Sequence, residues 1–447
     1  MPSEFDFFQQ WYPVSPVEDL DPRKPTPITL LGKSFVIWKS GSLSGRSASE
    51  HLSTENLVDA YTALKDECPH RLAPLSEGRI DDKSGNLMCS YHGWRFDETG
   101  RCQRIPQADN PTLLEENREH FCVTAFPCRV ANDLVWIWPD AESADLAADK
   151  ALPLSPQVDA EKGYVWSSMV RDLAYDWQTL VENVADPSHV PFAHHGVQGN
   201  RDRARPVPIE ILTSTSDRIE AQTQGVFSSH ITFEPPCRLE YALDFGKGRK
   251  VGLVTYCVPT APGKSRIIAQ FPRNFAKRLH YFTPRWFEHL KTRHKVLDGD
   301  MVLLNQQEKT LQARQQTESW KTAYRMPTSA DGLVIEFRNW FDRYGQKYPW
   351  SALPAESPTR RAALDRYHQH TQICGSCRQA LKQTKQLQLA LIGVFAIALA
   401  ITALLPNEVR LRLPLVILAL AGLGAAAWLK LWLEPQFYFV DYIHAER

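Results

Sequence analysis

Cys68-Pro69-His70 and, after 18 intervening residues, Cys89-Ser90-Tyr91-His92 decide how this chain is read. Each stretch offers one thiolate and one imidazole at a spacing that a tight loop can turn toward a common centre. Two Cys and two His divided in this way suit a binuclear [2Fe–2S] cluster, with Cys68 and Cys89 on one iron and His70 and His92 on the other. Zinc sites more often show C-x-x-C pairs. Around the two stretches lie short apolar runs broken by Gly, Pro and Asp. Ile28-Thr29-Leu30-Leu31 and Phe35-Val36-Ile37-Trp38 flank Gly32-Lys33, and Leu134-Val135-Trp136-Ile137-Trp138 closes the region. That punctuation predicts hairpins in a small antiparallel β domain over residues 1–140, with both ligand pairs on loops.

A second motif follows: Glu182-Asn183-Val184-Ala185-Asp186-Pro187-Ser188-His189, closed by His194. Leu173, Trp177, Leu180, Val181 and Val184 recur at helical spacing, which predicts a helix over 172–186. Glu182, Asp186 and His189 share one face of it. His194 lies about 140° out of register on an ideal helix, so Pro187 and Pro191 are expected to distort the chain and bring both imidazoles together. Two His and a carboxylate are the protein half of a mononuclear non-heme Fe(II) centre with positions left open for O2. The third ligand is expected from the later helical stretch 286–312, as Asp300 or alternatively Asp298. Asp186 is expected to accept a hydrogen bond from the outer nitrogen of His189 and to act as a bridge. Asn183 is expected near the iron without ligating it firmly. A one-electron relay beside an oxygen-binding iron reads as an oxygenase.

Fifty-one basic residues against 51 acidic ones give no global attraction to nucleic acid. Nine Cys without a regular framework, behind an N-terminus that does not read as a signal or transit peptide, predict a reducing compartment. Residues 141–162, rich in Ala and Asp, read as a linker, and 163–370 as a mixed domain of strands and helices. A segment 371–386 carries Cys374-Gly375-Ser376-Cys377. Residues 387–430 hold two uncharged apolar runs, each near the length that spans a bilayer, and 431–447 form a tail. Mean hydropathy is −0.35 for the whole chain, so the expected picture is a soluble catalytic mass on a membrane anchor. The basic, aromatic stretch 273–295 suits a membrane surface, and Arg201, Arg203 and Arg205 suit an acidic partner or a substrate carboxylate.

These residues in this order resemble the Rieske non-heme iron oxygenases, and most closely the pheophorbide a oxygenase (lethal-leaf-spot, cell-death suppressor) family. The likeness is carried by Phe7-Phe8-Gln9-Gln10-Trp11-Tyr12-Pro13-Val14, both cluster loops, the 182–189 motif, Asp300-Met301 with Gln306-Gln307, Cys374-Gly375-Ser376-Cys377 and the apolar hairpin. The resemblance implies an α+β fold: a Rieske domain, a helix-grip catalytic domain and a C-terminal transmembrane hairpin. It implies a homotrimer in which electrons from ferredoxin pass from one subunit's cluster through His92 or His70 and Asp186 to the next subunit's iron. Its substrate would be a hydrophobic tetrapyrrole, pheophorbide a first, opened at the macrocycle. Chlorophyllide-type oxidation of a ring substituent, hydroxylation of a chlorophyll breakdown product and a redox or scaffold role are the alternatives. Thioredoxin control through Cys374 and Cys377, and a thylakoid or plasma membrane of a photosynthetic prokaryote, complete the expectation.

Overall fold

The computed structural model describes residues 5–40, 61–110, 112–116, 118–223, 229–314, 319–350 and 358–446. Strands β1 (Tyr12–Pro16), β2 (Thr26–Leu30), β3 (Lys33–Lys39), β4 (Tyr61–Lys65), β5 (Arg79–Ile80), β6 (Leu87–Met88), β7 (Arg95–Phe96), β8 (Cys102–Arg104), β9 (Ala125–Phe126), β10 (Cys128–Ala131) and β11 (Leu134–Ile137) build the N-terminal part. They pair as β1-β11-β10, β2-β3-β4-β9 and β5-β6-β7-β8. The hairpin expected at Gly32-Lys33 pairs Leu30 with Lys33. Its two turn residues, Leu31 (φ 51°) and Gly32 (φ 75°), both take the left-handed conformation that a two-residue hairpin turn requires.

Strand β3 explains its own unbroken apolar run. Phe35 and Ile37 enter the main core, while Val36 and Trp38 enter a second, smaller core with Cys68, Cys89, Trp94 and Phe96. A strand whose alternate faces are both buried needs no polar residues on either. The boundary expected at residue 140 does not divide the cores, however. The Trp136 ring meets Tyr256 edge-on at 5.2 Å and Phe7 meets Trp177 at 5.6 Å, so β11 and the segment leading into β1 share the core of the second domain. The 141–162 linker is also tied down. It holds a short helix, Ala144–Asp149. Ser155 Oγ and Gln157 Nε2 donate to buried Glu240 at 2.8 and 2.5 Å.

The second domain is a seven-stranded antiparallel sheet of β12 (Ser168–Leu173), β13 (Ile209–Ser214), β14 (Ile219–Thr223), β15 (Ser229–Glu234), β16 (Arg238–Asp244), β17 (Lys250–Ala261) and β18 (Lys264–Gln270). Its order is β12-β18-β17-β16-β15-β14-β13, which leaves β12 as an edge strand. The sheet grips helices α1 (Trp177–Ala185), α2 (Val190–Ala193), α3 (His294–Arg314) and α4 (Gly332–Tyr344). Helix was expected from Asp172, but Asp172 and Leu173 stay in β12 and α1 starts at Trp177. The cause is Asp176, whose carboxylate caps the helix by accepting from the Gln178 N–H at 3.2 Å. Helix α3 continues from Arg285–Glu288 through a π-helical turn at His289–Arg293.

Helices α5 (Gly375–Leu404) and α6 (Val409–Trp428) pack as a hairpin, and both are long and apolar enough to cross a membrane. The 371–386 segment is not a separate unit. From Gly375 onward no Pro interrupts the run, so the second cysteine of the pair lies in the first turn of α5 and Cys374 is its N-cap. The tail returns to the catalytic domain, where the Tyr442 hydroxyl donates to the Ala193 carbonyl at 3.1 Å.

Glu308 joins α1 to α3. One carboxylate oxygen accepts from the Asp176 N–H and from Thr179 Oγ1, both at 2.7 Å. Burial pushes its carboxyl up to about 7, against about 4.3 in an unfolded chain. A folded-state value raised in this way gives stability that is full below pH ~4 and is lost as pH rises through ~7. Glu308→Gln keeps an acceptor and removes the titration. Its thermal stability relative to the parent should therefore rise between about pH 5 and about pH 8; a difference that stays flat over that range would show that Glu308 is not the titrating group.

Candidate active site

The two cluster loops are local repeats of each other. The Cys68 N–H donates to the Ala73 carbonyl and the Cys89 N–H to Trp94, each at 2.8 Å and each five residues on. The Leu72 N–H returns to the Cys68 carbonyl at 2.8 Å, and Gly93 to Cys89 at 3.0 Å. The residue that closes each loop is left-handed, Leu72 at φ 58° and Gly93 at φ 74°. At Gly93 glycine is the fitting choice, because a Cβ there would also press on Pro106 at 3.2 Å. Both loops thus present their cysteines inward and their histidines toward the rim: Cys68 and Cys89 are buried and in side-chain contact, whereas His70 and His92 are half-buried. The two imidazole centroids lie 4.4 Å apart, and His70 stacks flat on Trp94 at 4.8 Å.

This donor set fits a Rieske cluster. His70 Nδ1 is buried with no hydrogen-bond partner, a state that costs free energy unless a ligand meets it. Burial, with Cys89 alongside, pushes the Cys68 thiol up to about 12. Such a thiol ionises readily only when a metal replaces its proton.

The second centre is assembled by three elements. Asp186 ends α1 and caps the next turn, its carboxylate accepting from the Ser188 N–H at 2.8 Å and Ser188 Oγ at 2.5 Å. The outer nitrogen of His189, Nδ1, donates to the Asp186 backbone carbonyl, while the carboxylate lies 3.9 Å away. The expected hydrogen bond to the Asp186 side chain is therefore made by its main chain instead, because Ser188 occupies the carboxylate. Either way His189 Nε2 is left bare and faces inward, 3.1 Å from His194 Nε2. From α3, Asp300 Oδ1 completes the group at 3.4 Å from His194 and 3.7 Å from His189. Gly299 permits this approach: a Cβ there would lie 3.1 Å from the Ala193 carbonyl and 3.2 Å from the Tyr442 ring. Neither Gly299 nor Tyr442 stood out in the sequence, since neither carries a chemical signal.

Electrostatics separate the two candidate aspartates. Asp298 lies between two guanidiniums, 2.7 Å from Arg171 and 2.5 Å from Arg366, and is fully buried. Asp300 is equally buried, but its ion-pair partners among the described residues are only the two imidazoles. Burial drives its carboxyl well above the ordinary range, opposed by a hydrogen bond from the Asn183 side chain. Burial also depresses both histidines, with His194 down to about 3, so both are neutral. Neutral imidazoles and one uncompensated carboxylate at these separations suit a divalent cation, whose bonds of about 2.0–2.1 Å put ligands at right angles roughly 3 Å apart. Glu182, in the same motif, is spent elsewhere on Arg338 and on the Tyr324 hydroxyl at 3.2 Å. A cleft of about 130 Å³ is lined by Phe192, Ala193, His195, Arg201, Tyr442 and His444, around the α2 end that carries His194, without including an iron ligand in its wall. Cys374 and Cys377 join neither centre; they meet His289 and His370.

A cluster domain joined to a sheet-gripped mononuclear site defines the Rieske oxygenases. Comparison with known proteins narrows this. The Rieske [2Fe-2S] domain model matches residues 10–127 and the Pheophorbide a oxygenase model residues 233–318. Pheophorbide a oxygenase of Oryza sativa subsp. japonica is 38% identical, over 99% of this chain and 86% of its own. The Arabidopsis thaliana protein of that name is 36% identical over 99% and 85%, and flavonoid 8-hydroxylase 2 of Ocimum basilicum 32% over 99% and 86%. The crystal structure of dicamba monooxygenase bound to dicamba covers 76% of this chain and 98% of its own at TM-score 0.60 and 19% identity, a likeness of fold. The chain belongs to the pheophorbide a oxygenase family. It is an oxygenase with a Rieske [2Fe–2S] cluster, a mononuclear non-heme iron and O2 as co-substrate.

The contrast between the aspartates is testable. Asp300→Ala should lose the mononuclear iron while keeping the cluster's visible absorption and the fold. Asp298→Ala should instead strand two buried guanidiniums and cost about 3–5 kcal/mol in chemical denaturation. If the two variants exchanged these effects, the assignment would be reversed.

Proposed function

We propose that this chain is a membrane-anchored oxygenase that inserts oxygen into a chlorophyll-derived tetrapyrrole, pheophorbide a, with opening of the macrocycle. The observation that carries the reading is the similarity to two pheophorbide a oxygenases over nearly the whole chain. Cys68, Cys89, His70 and His92 would hold the cluster, and His189, His194 and Asp300 the mononuclear iron. When bound, these groups supply single electrons and activate O2. Asn183 holds the Asp300 carboxyl in place, and the Asp186 carbonyl fixes the His189 tautomer. Exposed Phe192, between the two iron histidines in sequence, would offer an apolar surface to a planar macrocycle.

The half-buried rim histidines of the cluster and the partly exposed Asp186 carboxylate suit electron transfer between neighbouring subunits of a homotrimer. Ferredoxin is the proposed donor, and exposed Arg201 and Arg203 offer it positive charge. The anchor would sit in a photosynthetic membrane, where a chlorin partitions to high local concentration. Exposed Leu279, Tyr281 and Phe282, on a helix rich in basic residues, suit contact with lipid.

Detergent-purified protein with its cluster reduced should, in a single turnover with pheophorbide a under ¹⁸O2, give a ring-opened product carrying label. Unaltered pigment from protein that hydroxylates a flavonoid would instead assign the chain to the chemistry of its basil relative. Asp186→Asn, which leaves the backbone carbonyl on His189 in place, should keep both metals and lower coupled turnover by removing the carboxylate's charge from the path between subunits. Full turnover would remove Asp186 from the electron path.

A further inference from the structure

Apart from both iron centres, four buried side chains from three separate segments point at one spot. His289 comes from the π-helical turn before α3, His370 from a second π-helical turn at Tyr367–Thr371, and Cys374 and Cys377 from the start of α5. None is more than 2% exposed. π-Bulges are rare and gather at functional positions.

The outer nitrogens of both imidazoles are already committed. Strand β12 is an edge strand, so its outward carbonyls need partners. His289 Nε2 donates to the Ser168 carbonyl at 3.2 Å, and His370 Nδ1 donates to Val170, two residues along. A carbonyl cannot donate, so each ring carries its proton on the outer side. The inner atoms, His289 Nδ1 and His370 Nε2, then face each other at 3.1 Å as two acceptors. That contact is repulsive unless a positive centre lies between them. The sulfurs close the figure: Cys377 Sγ is 3.3 Å from His370 Nε2 and 3.5 Å from His289 Nδ1, and Cys374 Sγ is 3.8 Å from His289 Nδ1. Bonds of about 2.0 Å to nitrogen and about 2.3 Å to sulfur around a tetrahedral zinc give edges of roughly 3.3 Å N···N and 3.5 Å N···S. The observed edges match these. Both carbonyl–imidazole bonds are of the kind that orient metal-bound histidines, and Cys374 caps α5, where the helix dipole favours a thiolate.

We infer that His289, His370, Cys374 and Cys377 form a structural zinc site that fastens the root of the membrane hairpin to β12 and to the helix carrying Asp300. The inference does not depend on the substrate. Two thiolates neutralise the cation's charge, and no open position remains for a substrate. Thioredoxin attack, implied for the two cysteines by resemblance, would need an exposed sulfur, and here both are fully buried.

Elemental analysis of the full-length protein in detergent, after dialysis against a weak chelator, should find about one zinc per chain alongside the iron. Cys374→Ser with Cys377→Ser should lose that zinc and keep the cluster's electron paramagnetic resonance signal. Because those variants can fail to fold, the unaltered protein is also grown with cobalt, and should show the visible bands of a tetrahedral cobalt–thiolate centre. Zinc absent from the unaltered protein, or mass spectrometry finding a Cys374–Cys377 disulfide in it, would overturn the site. So would zinc unchanged in the double variant.

Discussion

Helix α3 is a polar helix buried in a core, and the molecule is arranged around satisfying it. Asp298, Asp300, Asn305 and Glu308 all lie on it and all are buried. An unpaired buried charge costs several kcal/mol, so each must find a partner. Asp298 takes Arg171 from β12 and Arg366 from the segment before α5. Asn305 donates to the Ala174 carbonyl at 2.7 Å, and Glu308 holds the start of α1. Three of these four partnerships close within the protein. Among the described residues Asp300 has Asn183 and two neutral imidazoles as partners, which leaves a deficit of positive charge where the iron belongs. Glu308 meets its partners through hydrogen bonds, whereas at Asp300 the chemistry of the neighbouring groups leaves room for a cation.

This accounts for what could be read from the sequence. The cluster ligands, His189 and His194 were legible because each group lies within a few residues of its neighbour. The choice between Asp298 and Asp300 was not, since it turns on Arg171 and Arg366, more than sixty residues away on either side. The start of α1 was misplaced by apolar periodicity, which Leu173 satisfies from within a strand; Asp176 was the better signal. The Asp186 carboxylate was expected on His189 because a side chain was weighed and the adjacent carbonyl was not. His289 and His370 gave no motif at all, because π-helical turns and a sheet edge bring them together.

The root of the apolar hairpin belongs to the catalytic domain. Thirty helical residues in α5 extend about 45 Å, well beyond the ~30 Å of a hydrocarbon core. The excess lies at the N-terminal end, where Cys377, Ala380, Leu381 and Thr384 are buried against the protein. Beyond it Gln388 donates to Glu434 at 3.0 Å, and Lys430 pairs with the same carboxylate at 3.0 Å. These polar groups from both legs mark the level at which the hairpin leaves the protein. Above them α5 is a catalytic-domain helix, and beyond them Leu389, Ile397 and Leu404 stand exposed as lipid-facing residues do. The apolar hairpin is therefore continuous with the fold: its first helix is rooted through Cys377, Ala380 and Leu381 and leaves the protein at the level of Gln388 and Glu434. A hairpin joined by flexible chain could take any angle to the catalytic domain; one rooted in buried contacts and a buried Gln388–Glu434 hydrogen bond keeps a fixed direction relative to it.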